Sequence, residues 1–181
     1  IRMFIIFFYA GLMTACSDPG DTEEKAAHAS SNWKVVWSDE FDGDALDTTK
    51  WTHEFNCYGG GNNEQQCYTD RPENTQLVDG VLNIIAREES FSGPATWEIY
   101  PGYDPDDTSV TRPYTSGRIV SRGKYGVRDG RIEMRARLPK GQGVWPAFWM
   151  LSDDDVYGGW PRSGEIDVME GFNLGVPETG R

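Results

Sequence analysis

Histidine is nearly missing from this chain: His28 and His53 are the only two among 181 residues. A zinc centre built on several imidazoles, or a Ser-His-Asp triad, has almost nothing to draw on. Positive charge is also short. Lys and Arg total 17 against 29 Asp and Glu, a net charge of -12, which excludes nucleic acid and disfavours an anionic polymer as partner. No glycine loop of the P-loop or dinucleotide type is present, because Gly59-Gly60-Gly61 lacks the required lysine and helix context. The one long apolar run, residues 3–15, is too short to cross a bilayer comfortably and suits the core of a secretory signal. Downstream of it no amphipathic helical pattern of quality appears. With 38% hydrophobic and 13% aromatic residues the composition is still that of a folded protein, and the length suggests one domain.

What is there reads as strands and turns. The sequence VVW at residues 35–37 is a strand signal, followed by an Asp42-Gly43 turn. Residues 77–87 (LVDGVLNIIAR) predict strand, Asp79-Gly80 turn, strand. Residues 90–115 hold four prolines and no period, and are expected to be one long loop, either a groove rim or a surface insertion. Residues 131–138 (RIEMRARL) alternate cleanly, so a half-buried antiparallel strand is expected there. Many short strands with glycine-rich turns predict an all-β, antiparallel β-sandwich.

The most informative stretch is GEIDVMEGF at residues 164–172. In a plain strand Glu165 and Asp167 share one face, and Ile166 and Val168 the other. Glu170 has the wrong parity, and a β-bulge near Val168-Met169 would return it to the acidic side. Three carboxylates on one face suit glycosidic bond cleavage, in which one carboxylate attacks the anomeric carbon and a second, protonated, serves the leaving oxygen. On this reading Glu165 is the nucleophile, Asp167 an intervening modulator and Glu170 the acid/base. A solvated acidic strand face and a metal site are the alternatives that spacing alone leaves open.

The surrounding segments VVWSDEFDG, NNEQQCYT, YTSGRIVSRGK, GRIEMRARLPKGQGVWPAFWML and WPRSGEIDVMEGF cover residues 33–172 almost continuously. Together they resemble glycoside hydrolase family 16, and within it the laminarinase-like endo-β-1,3-glucanases with the bulged E-x-D-x-x-E strand. The resemblance implies a concanavalin-like jelly roll with a concave substrate cleft, of which residues 33–181 would be the N-terminal part of an incomplete catalytic domain. It implies retaining endo-hydrolysis of a laminarin-like β-1,3-glucan, with mixed-linkage glucan, agarose or carrageenan as alternative substrates and a non-catalytic glycan-binding jelly roll as the alternative class. It further implies that Asn63 hydrogen-bonds sugar hydroxyls, that Arg118 points into the cleft, and that Trp145, Trp149 and Trp160 are stacking platforms. Each of these tryptophans would otherwise be core. No cofactor is implied for catalysis. A structural calcium is implied, using backbone oxygens near Glu40 and Gly80 as part of its shell.

The segment before the domain carries its own expectations. Thr14-Ala15-Cys16 resembles a bacterial lipobox, so residues 1–16 are expected to be a signal peptide ending at a lipidated Cys16, with ordinary cleavage as the alternative. Residues 17–32 are polar and aperiodic, a flexible linker. The expected product is an exported monomer, a bacterial cell-surface or outer-membrane lipoprotein that meets the membrane only through that anchor. In an exported protein Cys57 and Cys67 either close a disulfide over the YGGGNNEQQ loop or remain two free thiols.

Overall fold

The computed structural model describes residues 33–177 together with the short strand Arg2–Ile5. All the regular elements described are strands. In chain order they are β1 (Arg2–Ile5), β2 (Thr52–His53), β3 (Gln66–Tyr68), β4 (Thr75–Val78), β5 (Val81–Ile84), β6 (Arg87–Gly93), β7 (Val110–Ser116), β8 (Ile119–Val120), β9 (Ala147–Leu151) and β10 (Glu165–Glu170). A five-stranded sheet runs β10-β9-β1-β8-β2, with every pair antiparallel. A three-stranded sheet runs β3-β7-β6, in which β3 and β7 are parallel, and β4 and β5 form a separate hairpin.

The β4–β5 hairpin forms where the sequence predicts it. Asp79 and Gly80 both take positive φ, 51° and 72°, as a two-residue turn matched to strand twist requires. Leu82 and Ile84 of β5 meet Ile119 of β8 and Phe148 and Met150 of β9, with Trp51 filling the space between them. This is the main core, and all six residues are almost wholly buried. Val120 and Leu151 belong to a second, smaller cluster with Trp97 and Trp149. Alternation along β8 and β9 therefore divides the five-stranded sheet into a core face and an opposite face.

Three expectations change. Residues 35–37 form no strand: Val35 and Val36 are exposed, and Trp37 instead stacks on Tyr125 and meets Trp51 edge-on. Residues 131–134 keep their alternation, with Ile132 and Met134 packed against the core, but Ala136 is exposed between Arg135 and Arg137, and residues 131–138 pair with no neighbouring strand among the described residues. Side-chain pattern records which face is buried, whereas a strand also needs a backbone partner. The long loop is shorter than expected, residues 94–109, because β6 and β7 extend into both its ends.

Within the segment expected to be a leader, Arg2–Ile5 lies between β8 and β9 and pairs with both. Cys16, the rest of that segment and the linker of residues 17–32 lie outside the described residues.

Candidate active site

β10 pairs with β9 so that Glu165 faces Leu151, Asp167 faces Trp149 and Glu170 faces Ala147. Directly opposed residues share a face, so all three acids stand on the side away from the main core. The register slips by one between Asp167 and Met169, which leaves Val168 as the extra residue of a bulge. Met169 then turns inward opposite Phe148, and Glu170 turns outward. Without the slip Glu170 would point into the core with no partner for its charge.

The two outer carboxylates each receive an indole hydrogen bond. Trp145 Nε1 donates to Glu170 Oε1 at 2.8 Å, and Trp160 Nε1 donates to Glu165 Oε2. Both tryptophans remain well exposed, and Trp145 is braced edge-on by Phe172. Partial withdrawal from water raises the Glu165 pKa above the ordinary carboxylate value, and the Trp160 hydrogen bond works against this rise. The charge of Asp167, a hydrogen bond with it and the charge of Glu170 add to the rise. Glu165 therefore holds its proton more tightly than an isolated glutamate.

Trp149, opposite Asp167, is half-buried and stacks on a guanidinium: Arg118 Cζ lies 4.7 Å from its ring centroid. Arg118 does not project freely into the cleft. It is buried, lies also over Tyr68 and Trp97, and its Nε sits 3.2 Å from Glu54 Oε2. Arg122 Nη2 donates to the other oxygen of Glu54 at 2.9 Å. Sequence reasoning missed Glu54, because a lone acid after Trp51-Thr52-His53 gives no sign that it will be buried between two arginines.

Asn63 is exposed in the loop between Cys57 and Cys67, which are joined by a disulfide. Its Oδ1 accepts a hydrogen bond from Arg112 Nη1 at 3.4 Å, and its main-chain oxygen accepts from Gln65 Nε2 at 2.6 Å. The glycine run has a local cause. A Cβ on Gly60 would fall 2.1 Å from Glu64 Oε1, and Gly60 takes φ of 59°. Glu64 in turn accepts from Tyr68 Oη and from Gln66 Nε2.

The residues around Glu40 and Gly80 do not by themselves complete a calcium shell, which takes six to eight oxygens. Asp42 Oδ1 comes close to Gly80, but the Asp39 carboxylate is taken up by Trp51 Nε1 and the Phe41 amide, and Asp47 by Thr49. Among the described residues no group of three or more His, Cys, Asp or Glu could hold a metal ion.

Comparison with known proteins agrees with this arrangement. A family profile described as an XgeA-like, catalytic GH16 domain matches residues 95–179. A β-glucanase of Rhodothermus marinus is 44% identical over 176 residues, which cover 93% of this chain and 54% of that protein. A glucan endo-1,3-β-glucosidase of Cryptopygus antarcticus is 44% identical over 145 residues, 80% of this chain and 48% of that protein. Among solved structures, the laminarinase catalytic domain of Thermotoga maritima superposes with a TM-score of 0.65 at 38% identity, covering 80% of this chain and 53% of that one. The Rhodothermus marinus laminarinase gives 0.63 at 46% identity, covering 78% and 51%. This chain spans about half the length of each of these relatives, and its described sheets are part of the laminarinase jelly roll. The bulged acidic strand and the matches on either side of it lead to one conclusion: the chain belongs to glycoside hydrolase family 16.

Proposed function

We propose that the protein is a retaining endo-glycosidase that hydrolyses a laminarin-like β-1,3-glucan. The observation that carries this reading is the single strand face on which Glu165, Asp167 and Glu170 stand, with an indole donor on each outer carboxylate. In the first step Glu165 bonds to the anomeric carbon as the glycosidic bond breaks, and Glu170 passes its proton to the leaving oxygen. In the second, Glu170 takes a proton from water, the water oxygen bonds to the anomeric carbon, and Glu165 leaves. Asp167, between them, tunes the proton affinity of its neighbours. The exposed faces of Trp145 and Trp160 suit the apolar faces of pyranose rings. The proposed chemistry routes no step through a cofactor.

The choice of glucan follows relatives named for β-glucan or laminarin hydrolysis, and the net charge of -12 disfavours sulfated galactans. A relative from Penaeus monodon, 32% identical, is named a β-1,3-glucan-binding protein, so binding without cleavage is the reading to separate. Incubating the full-length protein with laminarin, mixed-linkage glucan, agarose and carrageenan is expected to release oligosaccharides from laminarin. Retention of laminarin without products would favour the binding protein.

The pH profile gives a second check. The Glu165 nucleophile must be ionised, and its pKa is raised. Activity is therefore expected to fall with decreasing pH through a limb that lies above an ordinary glutamate's. In Asp167→Asn the neighbouring negative charge is gone, Glu165 ionises more readily, and the acidic limb should move to lower pH. A limb that stays in place would show that Asp167 does not tune Glu165.

A further inference from the structure

We propose that Tyr58, Trp97 and Tyr100 form an additional glucan subsite, built by the loop of residues 94–109 on the same sheet face as the three carboxylates. The proposal rests on the glucanase reading and extends it to a part of the chain that no catalytic step uses. A proline-rich loop with three exposed or half-exposed aromatics would ordinarily be read as a surface insertion, but this loop is fastened down. The Cys57 amide donates to Pro94 O at 2.7 Å, Tyr103 Oη donates to Phe55 O at 3.0 Å, and Glu98 accepts from the Phe55 amide and from Asn56 Nδ2. Residues 55–58 are themselves fixed on the other side by the Cys57–Cys67 disulfide. The loop therefore presents its rings in a set arrangement, and binding need not order it first.

That arrangement suits a sugar. Tyr58 and Trp97 lie nearly parallel, 13° apart with centroids 6.2 Å apart. Tyr100 stands edge-on to both, at 5.8 and 5.7 Å. Trp97 is further held by Arg118 and Arg122, whose guanidinium carbons lie 5.6 and 5.2 Å from its ring. Tyr100 is 45% exposed, so part of its ring is open to solvent, and its phenol hydrogen-bonds with that of Tyr58. Concave sugar sites pair an apolar ring with a few polar groups in this way. Trp97 Nε1 is buried without a hydrogen-bond acceptor among the described residues, which leaves a donor unused beside the phenols.

The cluster is continuous with the candidate active site. Trp97 and Trp149 both pack against Val120 and Leu151, and Leu151 and Trp149 are the cross-strand partners of Glu165 and Asp167. Asp155, in the connection that leads from β9 to Trp160 and β10, adds to the charge felt by the Tyr100 phenol, after burial and Tyr58. From Trp149, opposite Asp167, the Arg118 guanidinium bridges to Trp97, and Trp97 meets Tyr100, so a neutral polymer lying over the carboxylates can extend toward this cluster. The occupant the surface fits is a further stretch of the same β-glucan. The net charge of -12 weighs against an anionic chain at this position as elsewhere.

The test compares KM for laminarin with KM for a short aryl laminaribioside in the full-length enzyme and three variants. In Tyr100→Ala and Tyr100→Leu the ratio of long-substrate to short-substrate KM should rise about ten-fold. Tyr100→Phe keeps the ring and should bring the ratio back to within about two-fold of the unaltered enzyme. Leucine keeps apolar bulk without a flat face, so it separates stacking from simple packing. Equal losses on both substrates in Tyr100→Ala and Tyr100→Leu would show a cluster that only supports the loop, and would overturn the subsite. A ratio that does not move in any variant would overturn it as well. Failure of the unaltered protein to cleave laminarin at all would remove the glucanase reading, and the subsite with it.

Discussion

Glu165→Ala is expected to lower hydrolysis of an activated aryl glucoside on the order of 10⁴- to 10⁶-fold, the scale of removing a covalent nucleophile. The exposed position of Glu165 means that its loss should cost the fold little. The variant has an empty volume beside the anomeric carbon, where a small anion can take the missing role. Added azide should attack that carbon from the vacated side and yield a glycosyl azide of inverted configuration. Glu170→Ala should behave differently: the first step would survive on a substrate whose leaving group needs no proton, and azide would then intercept the glycosyl-enzyme with net retention. Product configuration, read by proton NMR, distinguishes the two roles. Inverted azide product from Glu170→Ala would mean that the assignments must be exchanged.

The second large effect concerns stability. Glu54→Ala is expected to cost about 3–5 kcal/mol, because it removes the one buried carboxylate that two arginines share. That is a large part of a typical margin of about 5–15 kcal/mol. Arg118 loses an ion partner at 3.2 Å while still stacked on Trp149, so the damage should reach the face that carries Asp167. Glu54→Gln keeps the shape and one acceptor and should cost less. Urea unfolding of the full-length protein, with the midpoint and slope both measured, checks the order. A midpoint in Glu54→Ala equal to that of the unaltered protein would show that the three charges are better solvated than their burial indicates.

How much of this could be read in advance depended on whether the signal was local. The turn at Asp79-Gly80 needs positive φ at both residues, and the pair Asp-Gly announces that need. The β10 bulge was legible because parity alone left Glu170 on the wrong side. By contrast, residues 35–37 and 131–138 have apolar patterns proper to strands but no ladder among the described residues. Pairing is a property of the neighbour, and it is not written in the segment itself. The tryptophans show a similar limit. The family resemblance pointed to ring stacking, yet Trp145 and Trp160 also use their indole nitrogens to hold the carboxylates. Arg118 is placed in the cleft by resemblance, and the sequence gives no sign of its ion pair with Glu54 or its stacking on Trp149. The distant pairing of residues 54, 118 and 122 left no trace in the sequence that local reasoning could find.

The slip at Val168 also bears on which changes in chain length this strand can survive. Because the bulge absorbs one residue, removing Val168 would leave Glu165, Asp167 and Glu170 at strictly alternating positions of an ordinary strand. All three acids would still stand on one face, at nearly the same spacing. No point substitution can do the equivalent, since a side chain's face is set by its place in the count and not by its identity. The strand thus carries a spare residue, and a shortening by one is a change it is built to absorb. Loss of a residue between Glu165 and Asp167 has no such remedy, because it would put those two acids on opposite faces.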